Sequence, residues 1–202
     1  MRADPDDRLR SACERIERWH RQHGGAGFRP PAASAALSRL DESSSQPIPD
    51  ALRTLLSLHD GNSPGTYPLP MRATEPSSWR MLGADEIVEE WTRLRGVADS
   101  LPTQPPVRAV GNVAAQWWSQ GWIPFCECGT GDVVCIDTAP PARGTAGQLV
   151  LYAHDSAERR TLHPGIEAWF AEAASDLEAG RYRHADGVGL VRADAGAAEL
   201  GS

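Results

Sequence analysis

Two aspartates, three thiols and a scatter of imidazoles are the residues here whose types could do chemistry. Asp132 and Asp137 both fall in the stretch 117–137, WWSQGWIPFCECGTGDVVCID. Two carboxylates divide acid and base work only where they converge. Five apart on one strand, they project to opposite faces about 16 Å apart at about 3.3 Å per residue, so they form no dyad. Asp132 is expected to bond nearby backbone N–H groups in a turn, and Asp137 to cap the loop before Ala139-Pro140-Pro141. Cys126, Cys128 and Cys135 raise the question of zinc. Structural zinc takes four ligands, with cysteine pairs two to four residues apart. Here the cysteines enclose one residue, and His154 is the nearest fourth ligand. A two-residue turn at Thr130-Gly131 would instead place Cys126 opposite Cys135 and Cys128 opposite Val133. Small thiols packed on a hairpin need no metal. The six histidines, at 20, 23, 59, 154, 163 and 184, belong to no nucleophile motif. G-x-S-x-G, P-loop, G-x-G-x-x-G and H-E-x-x-H patterns are absent. The reading is therefore a chain without enzymatic activity, metal or cofactor.

The elements that must hold these residues come from periodicity. Apolar residues recur at helical spacing over 7–22 (Leu9, Cys13, Ile16, Trp19), and Gly24-Gly25 stops that helix. A short helix covers 35–41. Asp50 suits the cap of a helix whose face is Leu52, Leu55, Leu56 and His59, closed by Gly61 in a left-handed conformation. The Pro- and Gly-rich run 63–78 is a long irregular connection with room for short strands, and a helix over 85–95 ends at Gly96. Strands are expected at 107–110, 122–126, 133–137, 148–154 and 161–163. Ile166, Trp169, Phe170, Ala173 and Leu177 form the stripe of a closing helix after Pro164, which Gly180 ends. Residues 1–7 are expected to be flexible, 8–183 a single domain and 184–202 a structureless tail. Helices, then strands, then a helix make an α+β domain.

Composition is that of a globular chain: 202 residues, 41% hydrophobic and 23% charged. All 20 basic residues are arginine and the net charge is −7. Acidity disfavours nucleic-acid binding, which rests on phosphate contacts; solubility accounts for it first, and steering toward a basic protein partner second. No apolar run is long enough to span a membrane, and no signal peptide is visible, so the cytoplasm is expected. Trp19, Trp91, Trp122 and Trp169 read as core. Trp118 reads equally as core or as an exposed anchor of a binding surface.

Taken in order, these segments resemble the SUKH superfamily in its SMI/KNR branch, which comprises fungal cell-wall assembly regulators and bacterial immunity proteins. Pro49 with the helix to His59-Asp60-Gly61 resembles the family's "LP…hDG". Leu82-Gly83 through Trp91 resembles "L…eiveeW". Trp122-Ile123-Pro124-Phe125, Gly131-Asp132, Ile136-Asp137 and Pro140 resemble its most specific signature, "WiPf…GD…lDl.P". Gly144, Gly147-Gln148 and His154-Asp155 resemble the family's "G..GQv…hd", and the closing helix with Gly180-Arg181-Tyr182 resembles its end. Cys126-Glu127-Cys128 and Ile48-Pro49 depart from the pattern.

The resemblance implies an α+β fold with a central, largely antiparallel sheet and helices packed around it. It also implies a non-enzymatic protein-binding role. The first expectation is an immunity protein that neutralises a cognate toxin by occluding its active site. The alternative is a regulatory or scaffolding module docking on an endogenous protein. Signature or partner-binding candidates are Asp60, Trp118, Trp122, Gly131, Asp132 and Asp137. Nothing in the sequence sets the oligomeric state.

Overall fold

The computed structural model describes residues 4–44, 46–74, 78–103, 105–185 and 189–194. Helix α1 (Pro5–Gln22) opens the chain. The Asp4 carboxylate accepts from the Asp6 N–H at 3.0 Å, and Pro5 starts the helix, so residues 4–7 of the segment expected to be flexible form a capped helix end, and residues 1–3 lie outside the described set. Helices α2 (Ser34–Ser43) and α3 (Asp50–Leu58) follow, with Pro49 in the cap position expected for Asp50. Strands β1 (Leu69–Pro70) and β2 (Ser78–Met81) come next, then α4 (Ala84–Ser100). Helix α4 runs through Gly96, because Leu94 and Ala98 keep the apolar phase and the glycine faces solvent.

The second half supplies β3 (Arg108–Val110), β4 (Trp122–Glu127), β5 (Val133–Asp137), β6 (Gln148–Tyr152) and β7 (Glu158–His163). Helix α5 (Ile166–Glu178) and a hairpin of β8 (Tyr182–Ala185) and β9 (Gly189–Arg192) complete it. The hairpin corrects the structureless tail expected from 184. Leu190 and Val191 are buried, which gives this glycine-rich segment enough apolar surface to fold back. Residues 195–202 lie outside the described set.

Seven strands form one sheet in the order β1-β2-β4-β5-β6-β7-β3. Every pairing is antiparallel except β3 with β7. The fold is thus α+β, with a largely antiparallel sheet and helices around it. The β4–β5 hairpin forms, in a different register from the one expected. Glu127 pairs with Val133, Cys126 with Val134 and Pro124 with Cys135, with a bulge between Pro124 and Cys126. The bulge and the five-residue connection 128–132 replace the two-residue turn, with Gly129 and Gly131 at φ 83° and 106°. Cys126 and Cys135 therefore occupy neighbouring rungs on opposite faces, and all four cysteines are free thiols.

One hydrophobic cluster runs from α1 to β9. Helix α1 packs on α5, and Phe125 meets Trp169 edge-on at 5.8 Å. Arg159 is fully buried beneath the segment between β3 and β4. Its guanidinium lies 4.3 Å from the Tyr152 ring centre and donates to the carbonyls of Trp117, Ala153, Ser156 and Glu158.

Among the described glycines, the tightest approach of two backbone segments lies at Gly61. A Cβ there would sit 2.5 Å from Gly83 N and 2.7 Å from the Met81 carbonyl oxygen, and φ is 77°. Gly61→Ala is expected to cost at least about 2 kcal/mol in urea unfolding, from left-handed strain plus the displaced backbone. A variant as stable as the parent would show that this corner opens freely.

Candidate functional site

The six signature candidates separate into two groups. Trp122 is fully buried, and Trp118 is 4% exposed, packed edge-on against Trp122 at 5.8 Å and Tyr152 at 5.5 Å. Trp118 is therefore core, and the exposed-anchor reading drops out. Asp137 is also fully buried. It accepts from Ala139 N at 3.2 Å, the loop cap expected of it, and from Gln148 Nε2 at 3.0 Å. Burial pushes its carboxyl above the usual range, and bonds from Gln148, Ala139 and Trp122 pull the other way. Asp60 accepts from Ala84 N at 2.8 Å and so caps α4 from outside the helix. These four residues hold the scaffold.

Gly131 and Asp132 face a cleft of about 350 Å³ between α4 and the β4–β5 connection. The cleft is lined by five carboxylates, Glu86, Glu89, Glu90, Glu127 and Asp132, against two guanidiniums, Arg80 and Arg93. Asp132 does not close its own turn. It accepts from the backbone N–H of His154 at 2.9 Å and lies 2.8 Å from His154 Nδ1, tying the β4–β5 connection to the end of β6. Gly131 permits this, since a Cβ there would lie 3.2 Å from the His154 ring.

The floor of the cleft is an ion network. Arg80 has a side chain only 8% exposed, with Nη1 2.7 Å from Glu86 Oε1 and Nε 2.7 Å from Glu127 Oε1. Glu86 also accepts from Gly83 N at 2.8 Å and from Arg29 Nη2 at 2.5 Å. Burial raises the Glu86 carboxyl, but the Gly83 N–H, Arg80 and Arg29 outweigh it, so its affinity for protons falls below the ordinary value. Burial likewise opposes the charge on Arg80, and its two glutamates more than restore it. Glu89 stands exposed at the rim, and Glu90 is bonded to Arg93.

Arg80, Glu86, Glu89, Glu90, Arg93 and Glu127 were not singled out by sequence. The run Asp85-Glu86 and Glu89-Glu90 marks a polar face of α4. The partner strand β2 sits in a Pro- and Gly-rich stretch whose pairing is long-range. Among the described residues, Asp132, His154 and Asp155 are the one group with three metal-type ligand atoms within 4.8 Å. His154 turns to Asp132, and the zinc arrangement considered for Cys126, Cys128 and Cys135 is not assembled.

Arg80→Ala should cost about 3 kcal/mol, because it strands two partly buried carboxylates, whereas Arg80→Ala combined with Glu86→Gln should recover part of that in chemical unfolding. The lowered Glu86 carboxyl sets the sign of a pH effect. Its contribution is complete above its ordinary value of 4.5 and is lost as pH falls below that. Glu86→Gln should flatten the stability profile in that window. An unchanged profile would remove Glu86 from the network's energetics.

Comparison with known proteins gives the family of the chain. A family model described as the SMI1 / KNR4 family (SUKH-1) matches residues 31–172. A glucan synthesis regulatory protein of Neurospora crassa is 23% identical over 210 aligned positions, covering 85% of this chain and 39% of that protein. A cell wall biosynthesis/cell cycle regulator of Schizosaccharomyces pombe is 26% identical, covering 67% of this chain and 29% of its own length. The chain thus spans well under half the length of these relatives. On the match over residues 31–172, the chain belongs to the SMI1/KNR4 family.

Proposed function

We propose that this chain is a non-enzymatic regulatory module that docks a basic protein segment in the cleft between α4 and the β4–β5 connection. The observation that carries this reading is the cleft itself, where the two solvent-facing signature residues, Gly131 and Asp132, meet a lining of five carboxylates against two guanidiniums. The rest of the surface offers little else. Val97, 38% exposed, is the one exposed large apolar side chain among the described residues, so recognition rests on charge and polar contact. The names of the fungal relatives, a glucan synthesis regulatory protein and a cell wall biosynthesis/cell cycle regulator, favour a regulatory role, for which the occupant of the cleft would be an endogenous protein.

A second reading keeps the same cleft and changes the partner. An immunity protein would occlude a cognate toxin, and the net charge of −7 suits a basic toxin such as a nuclease. Four free cysteines fit a reducing cytoplasm in either case. No described helix is long and apolar enough to cross a membrane.

The test is a pull-down from the native host with the parent and with Glu89→Arg/Glu90→Gln, read by quantitative mass spectrometry. One protein should be depleted by about tenfold or more in the variant, with an unchanged Tm, and its capture should weaken as salt rises. Equal recovery of every protein by both chains would sink the cleft as the docking surface. Toxicity of the recovered partner on expression would select the immunity reading, and a harmless endogenous partner the regulator.

A further inference from the structure

Helix α1 and the β8–β9 hairpin both lie outside the matched residues 31–172, and they meet through two imidazoles. His20 Nε2 is 2.8 Å from the Pro68 carbonyl oxygen. A carbonyl only accepts, so His20 carries its proton on Nε2 and leaves Nδ1 bare. His184 Nε2 lies 3.1 Å from that Nδ1 and must donate to it. Gly25 closes over the pair, since a Cβ there would fall 2.2 Å from His184 Nε2 and 2.5 Å from His20 Nδ1. The Trp19 ring lies against both elements, with His23 stacked at 4.2 Å and His184 at 5.4 Å. A groove of about 600 Å³ opens beside them, lined by Trp19, His23, Leu177, Glu178, Tyr182 and His184 among others.

The tautomers make this contact conditional on protons. A second proton on His184 goes to Nδ1 and leaves the bond intact. A second proton on His20 goes to Nδ1, and the bond survives only if His184 is neutral and turns Nε2 into the acceptor. With both rings charged, two N–H groups face each other and no tautomer restores the bond.

We propose that the His20–His184 contact is an acid-released clasp, which holds the C-terminal hairpin on α1 at neutral pH and frees it when both imidazoles are charged. The surrounding groups offer no compensation. From α1, His23 faces the pair, and Arg15 engages Glu178 of α5, the carboxylate in the groove. From β8, Arg183 lines the same groove, and just before it Arg181 is paired with Asp176. After β1, Arg72 is bonded to Asp176 and Glu172, and its carbonyl accepts from Arg192 of β9. Glu172, Asp176 and Glu178 each hold an arginine already, Asp194 lies after β9 in the surface cleft with Arg181 and Arg192, and the added charges are positive.

Burial sets the direction of titration. It pushes His20 down to about 4 against the Pro68 bond, which favours the charged ring, and His184 and His23 add to the depression. Burial and His23 lower His184 as well. Imidazoles depressed in the folded state contribute fully above their ordinary value of 6.5, and that contribution falls away as pH drops toward about 4.

An undocked two-stranded hairpin is not stable on its own, so its amide protection reports docking. Hydrogen exchange by NMR on the full chain, corrected for intrinsic rates, should show protection at Leu190 and Val191 falling about tenfold or more between pH 6.5 and 4, while Leu149 and Val150 in β6 stay protected. His184→Gln keeps a donor for His20 Nδ1 and cannot titrate, so release should move down by about one pH unit or more. In the parent, the lower of the two ring-proton titration midpoints of His20 and His184 should coincide with the release midpoint. The proposal is overturned by any of four results: a hairpin still protected at pH 4, loss simultaneous with β6, an unmoved midpoint in His184→Gln, or a lower ring titration separate from the release.

Discussion

The structure depends on one close crossing, where the corner at Asp60-Gly61 presses against the turn at Leu82-Gly83. Gly61 has no side chain, so the two backbones meet there at a distance no other residue would allow. Asp60 donates nothing to this contact and accepts twice. Its carboxylate takes the first N–H of α4, and its carbonyl takes a bond from Arg29. Arg29 continues to Glu86, which in turn accepts from Gly83 N. The helical first half is fastened to the sheet at this point, and the start of α4 is fixed along with it.

Everything in the cleft follows from that fastening. With α4 fixed, Glu86 is aimed at Arg80 on β2, and Arg80 reaches Glu127 on the paired rung of β4. A buried ion network of this kind adds little net stability over an apolar substitute, since desolvation cancels most of the attraction. What it adds is position. Neighbouring strand and helix cannot slide without separating charges, so the carboxylates at the rim are held at fixed spacing. The Asp132–His154 tie does the same for the opposite wall.

Much of this was legible in the residues and part was not. The α5 stripe and the apolar runs of β4 and β5 carry strong local signals, and the structure has them where periodicity puts them. Gly96 misled because its cost of about 1 kcal/mol is small against the continuing burial of Leu94 and Ala98. The hairpin register was missed because the connection spans five residues, 128–132, which already moves Cys126 from Cys135 to Val134; the bulge at Phe125 then shifts the pairing by one residue more. Strand β1 falls in the run where short strands were allowed for without being placed, and β2 was not expected; both are short, irregularly flanked and stabilised by long-range pairing. Trp118 could not be assigned from its type, since burial depends on Tyr152 and Trp122 closing around it.

The ends of the sheet carry a consequence for how partners can attach. The outermost strands are β1, two residues ending in a proline, and β3, three residues whose Arg108 is engaged by Glu158. A proline supplies no N–H for a neighbour, and so short a row of free backbone groups offers little to a guest chain. Such borders resist lateral growth into fibres, and they also close the route by which many modules capture an extended peptide as an added strand. Along these two borders of the seven-stranded sheet, strand addition has little backbone to build on.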